Sequence, residues 1–156
     1  MSEAPTDVIA MTLVGVRVEL PSNQPIVLLR EADGSRYLPI WVGAVEATAI
    51  AAALEGVEPP RPLTHDLLKL MLEALEANVG RVVVTELRDS VFYADLVLAH
   101  PGGEAHVSSR PSDAIALAAR TQAPIFANPQ VLDEAGIEIQ EEAEEDEIQR
   151  FRDFLE

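Results

Sequence analysis

Residues 8–20 are rich in β-branched side chains, and hydrophobic and polar residues alternate from Val16 to Leu20. A period of two is typical of a half-buried β-strand, so the pattern predicts one here. Two further apolar runs, residues 26–29 and 36–42, lie on either side of the dipeptide Asp33-Gly34. Because that dipeptide readily adopts the positive φ angles of a tight turn, the two runs are predicted to pair as an antiparallel hairpin.

Two helices are predicted in the next part of the chain. Residues 44–55 are rich in alanine and nearly free of charge, which indicates a helix buried on most sides. Gly56 follows and is predicted to end this helix. The prolines of EPPRP exclude a helix from the connector that follows. A second helix is predicted to start at Thr64 and to end at Asn78 or Gly80. Its apolar residues recur at helical spacing and are expected to face the core: Leu67, Leu68, Met71, Leu72 and Leu75.

The second half of the chain again mixes strands and helices. The predicted strands cover residues 81–87, 91–99, 104–108 and 124–127, and the predicted helices cover residues 111–120 and the segment between Asn128 and Gly136. Helices do not alternate strictly with strands in this order. The sequence therefore predicts an α+β domain with a mainly antiparallel sheet and three or four packed helices.

The end of the chain differs from the rest in charge. Residues 133–156 contain 11 acidic and 2 basic residues. Near the C-terminus, apolar residues recur at helical spacing: Ile148, Phe151, Phe154 and Leu155. We therefore predict a body, residues 1–136, and an acidic extension, residues 137–156, that ends in an amphipathic helix.

Composition narrows the class of protein. A length of 156 residues suits one domain, and a hydrophobic content of 48% is enough for a core. The absence of cysteine excludes a disulfide scaffold and a cysteine nucleophile. Neither a signal-peptide pattern nor an apolar run near 18 residues is present, so we expect a cytoplasmic protein without a membrane partner. The net charge of −16 opposes passive binding to nucleic acid.

Three polar clusters are candidates for chemistry, since no complete catalytic or phosphate-binding motif is present. The first is Glu46, the only acidic residue between Asp33 and Glu55. A carboxylate in the first turn of a helix interacts favourably with the positive end of the helix dipole. A catalytic or ligand-binding role is the alternative.

The second cluster precedes the second predicted helix and comprises Arg61, Thr64, His65 and Asp66. Thr64 as the N-cap and Asp66 in the first turn would serve helix initiation alone. His65 and Arg61 also suit phosphodiester chemistry. Histidine is a general base near neutral pH, and arginine binds phosphate through paired hydrogen bonds.

The third cluster, Arg110, Ser112 and Asp113, follows Ser108 at the start of the third predicted helix. It is explained as a capped helix start, with Arg110 or Ser112 at the cap. The alternative is an anion site, because free backbone N–H groups and a neighbouring arginine both attract phosphate. If the second and third helix starts face one cleft, the two clusters would form one such site.

Four strings of the sequence, in this order, resemble the bifunctional nuclease domain family of bacteria and plants: LPIWVGAVEATAIAAALEG, PRPLTHDLL, FYADL and SRPSDAIALAAR. The resemblance covers residues 8–136. It implies an α+β domain that is often oligomeric, and degradation of both RNA and DNA by some members, with a metal ion. Members often carry aspartate where this chain has Ser108, which would remove a possible metal ligand.

The leading hypothesis is therefore a metal-dependent nuclease of low specificity that acts on RNA or DNA as a homo-oligomer, with a dimer favoured. The resemblance places the family's polar pattern on Glu46, Arg61, Thr64, His65, Asp66, Arg110, Ser112 and Asp113. In this hypothesis Glu46, Asp66 and Asp113 bind Mg²⁺ or Mn²⁺, His65 is the general base, and Arg61, Thr64, Arg110 and Ser112 contact the substrate. The alternative is a non-enzymatic module that recognises an anionic ligand or a protein partner, and the net charge favours it.

Overall fold

A single eight-stranded sheet with four helices makes up the described part of the chain, residues 7–19 and 21–139 of a computed structural model. The strands are β1 Ile9–Glu19, β2 Gln24–Glu31, β3 Arg36–Trp41, β4 Asn78–Arg88, β5 Val91–His100, β6 Gly103–Ser109, β7 Ile125–Ala127 and β8 Ile137–Glu138. The helices are α1 Ala44–Leu54, α2 Thr64–Ala74, α3 Pro111–Thr121 and α4 Pro129–Ala135. The predicted α+β class is confirmed.

The short strand β7 joins two antiparallel halves of the sheet. The strand order is β6-β5-β4-β7-β1-β2-β3-β8, and every neighbouring pair is antiparallel except β4 and β7. Ile125 of β7 lies opposite Val82 in the parallel pair and opposite Met11 in the antiparallel pair. All three residues of β7 are buried, so the centre of the sheet is anchored in the core.

Helix α3 packs deepest into the molecule. Seven of its residues are buried: Pro111, Ser112, Ala114, Ile115, Ala116, Leu117 and Ala118. Four of its first ten positions are alanine, and their small side chains let α1 and α2 lie close against it. Helix α3 therefore contacts both α1 and α2, and it begins directly after the edge strand β6.

Helix α2 is shorter than predicted, and β4 begins earlier. The helix ends at Ala74 because Glu76 adopts a left-handed backbone conformation, with φ of 59°, that a right-handed helix does not continue. Asn78 is then the first residue of β4. A two-residue strand, β8, pairs with Arg36 and Tyr37 of β3 and was not predicted. The predicted C-terminal helix lies outside the described residues, and the boundary at residue 136 stays a prediction.

The predicted burial of α1 and α2 is wrong within the single chain. The buried residues of α1 are Ala47 and Ile50, whereas Val45 is 80% exposed. Of the apolar residues of α2 that were expected to face the core, Leu72 packs against it, whereas the other four are exposed. Helix α2 contacts the body through the edge that carries His65 and Leu72. The apolar residues of α2 cover a wider part of its surface than the edge that contacts the body, so most of them stay exposed.

None of the helices in the described ranges has the length and apolar character needed to cross a membrane.

Strands β5 and β6 are linked by a histidine between two carboxylates. His106 Nδ1 lies 2.6 Å from Asp95 Oδ2, and its Nε2 lies 3.1 Å from Glu104 Oε1. The hydrogen bond to Asp95, more than any other interaction, raises the pKa of His106 above its ordinary value. Both carboxylates favour the imidazolium, so protonated His106 holds this edge of the sheet together.

We expect the stability contributed by His106 to decline as the pH rises. A raised pKa in the folded state stabilises the fold below the unfolded pKa of about 6.5, and that contribution is lost as the pH rises through the folded value. The H106Q variant should therefore melt below the wild type at mildly acid pH and approach it in alkali. Melts across this range test the expectation, with H100Q as the control. The His100 ring accepts a backbone hydrogen bond from Gly102 and contacts no carboxylate among the described residues. A pH-independent difference for H106Q would contradict the expectation.

Candidate functional site

The start of α3 places two charged side chains at the junction with α1 and α2. Arg110 occupies the N-cap position in an extended conformation, and its carbonyl accepts a hydrogen bond from the backbone N–H of Ala114. Pro111 follows as the first helical residue, where its missing N–H leaves no bond unmade. Asp113 is the third helical residue and suits the positive end of the helix dipole.

An arginine links two carboxylates at this junction. Both Nε and Nη2 of Arg110 lie 2.8 Å from Asp113 Oδ2, and Nη2 also lies 3.1 Å from Glu46 Oε1. Glu46 reaches this position because residue 43 is glycine, since a Cβ there would overlap the Glu46 carboxylate. The Arg110 side chain is 65% exposed, so water competes with both ion pairs and the guanidinium is free to exchange partners.

His65 binds the other oxygen of Asp113. Its Nε2 lies 3.0 Å from Asp113 Oδ1, and His65 is the one buried residue of α2. Burial raises the pKa of Asp113, but the hydrogen bonds from Arg110 and His65 outweigh it and hold the pKa below its usual range. The carboxylate is therefore ionised near neutral pH and accepts a hydrogen bond from His65 Nε2–H.

This pairing fixes the state of the imidazole. With the proton on Nε2, the lone pair of neutral His65 is on Nδ1. Nδ1 has no hydrogen-bond partner among the described residues, and it is not sealed from solvent. A histidine oriented by a carboxylate, with its second nitrogen open, is the arrangement of a general base. We name the set Glu46, His65, Arg110 and Asp113 the four-residue network.

Asp66 takes part in a different contact. Its Oδ1 lies 2.7 Å from Nε of Arg120, and its Oδ2 accepts a hydrogen bond of 3.0 Å from the backbone N–H of Leu63. The hydrogen bond from Arg120 lowers the pKa of Asp66 most, and the Leu63 N–H lowers it further. The Arg120 side chain is only 8% exposed and also donates to the carbonyl of Ala116. Asp66 and Arg120 thus hold α2 against the last turn of α3.

Two predicted substrate contacts of the second cluster lie outside the network. Arg61 is exposed and forms no ion pair or hydrogen bond with any residue in the described ranges. The predicted N-cap was Thr64, but Leu63 occupies that position and Thr64 is the first helical residue of α2. The backbone N–H of Leu63 donates to the Asp66 carboxylate. The third-cluster residue Ser112 is 6% exposed and lies inside α3.

The described carboxylates do not form a ready-made metal site. No group of three histidine, aspartate or glutamate side chains in residues 7–19 and 21–139 is arranged to hold an ion. Arg110 lies between Glu46 and Asp113, and Arg120 holds Asp66 elsewhere. A guanidinium takes the place that a cation would need between these oxygens, so the three expected ligands do not fit one preformed centre.

Two clefts flank α3. One, of about 460 Å³, is bordered by α1, α2 and α3 and includes Asp66 and Arg120. The other, of about 370 Å³, is bordered by the end of β3, the β4–β5 turn and the start of α3, and includes Arg110 and Ser112. The network therefore has a cleft beside its arginine that is large enough for a small ligand.

Comparison with known proteins decides the family. The sequence model of the bifunctional nuclease domain matches residues 27–140, which include every residue of the network. The chain belongs to the bifunctional nuclease domain family. The resemblance stated from its four sequence strings is thereby confirmed.

The relatives fall into two groups. An uncharacterized protein of Mycobacterium tuberculosis is 47% identical over 151 residues, which cover 92% of this chain and 90% of that protein. Bifunctional nuclease 1 of Oryza sativa subsp. indica is 33% identical over 120 residues, covering 75% of this chain and 36% of the rice protein. Bifunctional nuclease 2 of Arabidopsis thaliana is 33% identical over 115 residues. This chain spans about a third of the length of the plant proteins.

Sequence reasoning missed Arg120, the partner of Asp66. The available signal was its place in the last turn of α3, where a cation also favours the helix dipole. Its long-range contact with a residue 54 positions away has no sequence pattern. Because the sequence does not show this contact, Asp66 and Asp113 were equally good candidates for a metal ligand.

We expect the D66N variant to lower the free energy of unfolding by about 2 kcal/mol at neutral pH, because a mostly buried arginine loses its charged acceptor. The pKa of Asp66 is lowered in the folded state, so its contribution is present above the unfolded pKa of about 3.8 and is lost as the pH falls through the folded value. Urea denaturation of both proteins between acid and neutral pH measures this difference.

The control for D66N is D133N, which removes an exposed carboxylate that pairs with Arg36 at 3.1 Å. The Asp133 side chain is 71% exposed, so the substitution should change the free energy of unfolding by less than about 0.5 kcal/mol. Equal effects of the two substitutions would contradict a structural role for Asp66.

Proposed function

We propose that this domain is a nuclease that hydrolyses phosphodiester bonds in RNA or DNA. The observation that carries the proposal is the His65–Asp113 pair beside an exposed arginine at the start of a helix, in a chain of the bifunctional nuclease domain family. The plant relatives are named bifunctional nucleases, which supports the same class of reaction. Low substrate specificity is part of the proposal.

In this reaction His65 is the general base, and Arg110 binds the phosphate. His65 Nδ1 takes a proton from a water molecule, and the resulting hydroxide attacks phosphorus. The bond from phosphorus to the leaving ester oxygen breaks, and that oxygen takes a proton from solvent. Asp113 keeps the imidazole oriented and stabilises the imidazolium that forms. Because the His65 side chain is 10% exposed, the water, not the base, reaches the substrate.

Arg110 is the group that binds the phosphate in this proposal. Its guanidinium offers paired donors to phosphate oxygens, and its exposure lets it leave Glu46 for a stronger anion. The backbone N–H groups in the first turn of α3 add partial positive charge on the same side. Arg61, which has no partner in the described part of the chain, is the second cation that we propose for the nucleic-acid backbone.

Dependence on Mg²⁺ or Mn²⁺ is a further part of the proposal. A net charge of −16 repels a polyanion, and a divalent cation that accompanies the phosphate reduces this repulsion. Glu46 and Asp113 are the carboxylates that lose their cationic partner when Arg110 turns to the substrate.

We expect H65Q and D113N to lower the rate of cleavage of labelled RNA and DNA by about 100-fold or more, because each removes a general base or its orienting group. The assay uses purified protein with Mg²⁺, Mn²⁺ or chelator. The H106Q variant is the matched control, since this histidine lies on β6 away from the network and should leave cleavage unchanged. Equal cleavage by H65Q, D113N and the wild type would point to a contaminating nuclease and overturn the proposal.

The competing function is a non-enzymatic binding module. The pairing of Arg110 with two carboxylates supports it. An arginine that is neutralised at rest and can exchange its partners is all that a site for recognising an anion requires, and no catalytic step is needed. Such a module would show shifts in melting temperature with an anionic ligand and no turnover under any metal condition. The same set of purified variants distinguishes the two functions.

We further propose that the chain forms a homo-oligomer, with a dimer favoured, through an apolar face of α2. We define this α2 face by six exposed residues: Leu63, Leu67, Leu68, Leu70, Met71 and Leu75. They lie within an arc of about 160° on an ideal helix, away from the edge that carries His65. Between 39% and 72% of each of these residues is exposed, which leaves a contiguous apolar patch of the kind that marks protein–protein interfaces. A second copy presents the same face, as a two-fold interface requires.

We expect the L67R variant to convert the oligomer into a folded monomer, since two guanidinium groups would meet across a two-fold interface. Sedimentation velocity at micromolar concentrations measures the state, and circular dichroism checks the fold. The control is V107K, because Val107 is 45% exposed but lies on β6, outside the α2 face. A monomeric wild type, or an L67R oligomer, would show that α2 does not mediate assembly.

A further inference from the structure

The cleft of about 370 Å³ beside Arg110 has walls from four separate parts of the chain: the start of β2, the end of β3, the β4–β5 turn and the start of α3. Of the residues that line this cleft, only Arg110 belongs to the four-residue network. The reaction proposed above gives the cleft itself no role. Its lining shows which ligand chemistry it suits.

One wall of the cleft is aromatic and partly open to solvent. Trp41 is the last residue of β3 and is 49% exposed, although it lies opposite Ile26 inside the sheet pairing. Phe92 and Val91, from the start of β5, supply apolar surface around it. An indole left half open beside a cleft presents a flat surface on which a planar aromatic ligand can stack.

The cleft also contains a hydroxyl that is open to a ligand. The residue Ser112 is 6% exposed and lines the cleft, and its side chain forms no hydrogen bond with any residue in the described ranges. Its oxygen is not among the buried side-chain atoms that lack a partner, so the hydroxyl is accessible. An accessible, unbonded hydroxyl in the wall of a cleft can donate to or accept from a polar edge of a ligand.

The rim of the cleft carries an exposed guanidinium that pairs with two carboxylates and can exchange them for another anion. Arg110 lines it and is 65% exposed, so its guanidinium reaches an anion attached to whatever fills the cleft. A flat aromatic wall, one polar group at depth and an arginine at the rim together match a nucleobase joined to a phosphate. A peptide would need an aromatic side chain beside a carboxylate to use both features, whereas every nucleotide of a single strand carries a planar base next to a phosphate.

We propose that this cleft binds one unpaired nucleobase of single-stranded RNA or DNA, stacked on Trp41, with the adjoining phosphate at Arg110. The inference rests on the proposed nuclease function, since it identifies how that site holds its substrate. A base that is paired in a duplex is already stacked and hydrogen-bonded to its partner, so entry requires it to be extruded. The site therefore selects single strands over duplexes, and its contacts through a π face and one hydroxyl allow any base.

The chain carries its own probe of this cleft, because Trp41 is its single tryptophan. Titration of the wild type with a short single-stranded oligonucleotide, in chelator so that no cleavage occurs, should quench the tryptophan fluorescence to saturation. A duplex of the same sequence should bind at least tenfold more weakly. An oligonucleotide with abasic sites should cause little quenching.

Variants test the same point without the fluorophore. By fluorescence anisotropy of a labelled single strand, W41L should bind at least tenfold more weakly, W41F should retain most of the affinity, and S112A should lose several-fold. The matched control is Y93L, because Tyr93 follows Phe92 on β5 and points to the opposite face of the sheet. Circular dichroism and melting curves check that each variant is folded, and S112A keeps the test valid if W41L is not.

The outcomes separate this inference from the proposed nuclease function. Saturable quenching by single strands without any turnover supports the base site and overturns the nuclease. Metal-dependent cleavage with no quenching, or with equal affinities of wild type, W41L and S112A for single strands, overturns the base site and leaves the nuclease standing. Equal binding of duplex and single strand also overturns it.

Discussion

The Asp113 carboxylate is the interaction on which the geometry of the site depends. One of its oxygens accepts the hydrogen bond from His65 on α2, and the other accepts both donors of Arg110, which also reaches Glu46 on α1. Helix α3 is therefore connected at one charged group to two helices that precede it in the chain, α1 and α2. Without this carboxylate the imidazole would lose its orientation and the arginine its position at the start of α3.

The two arginines at the ends of α3 show how burial separates structure from function. Arg120 is 8% exposed and holds Asp66 with little competition from water, so the pair works as a structural clamp between α2 and α3. Arg110 is 65% exposed, and water already competes for its carboxylate partners. The same pairing of guanidinium and carboxylate is therefore fixed at one end of the helix and exchangeable at the other.

The sheet positions the four-residue network but contributes none of its charged side chains. Strand β6 leads directly into Arg110, and β3 ends at Trp41 just before the start of α1. The cleft, the network and the first turns of α1 and α3 thus meet on one side of the sheet. The α2 face lies away from the helix edge that carries His65, which leaves it available for a partner while the site stays open.

Local pattern was enough to determine most of the elements. Alternation, the Asp33-Gly34 turn and Pro111 at a helix start predicted the strands and helices of the described residues except β8, because each depends on neighbours within a few residues. The reason given for the β2–β3 hairpin was wrong, since neither Asp33 nor Gly34 adopts a positive φ. The end of α2 was missed because Glu76 adopts a left-handed conformation that no apolar spacing reveals. The outward face of α2 was misread because an apolar arc indicates burial without saying against what.

The sequence by itself determined the α+β class, the family and the residue types of the site, since these follow from local periodicity and from contiguous strings of residues. Only the tertiary structure decided how the charged residues pair. His65 and Arg110 meet at Asp113, and Arg110 also reaches Glu46, whereas Asp66, next to His65 in the chain, turns to Arg120. Neighbouring residues on a helix project about 100° apart, so adjacency in sequence does not bring two side chains to the same partner.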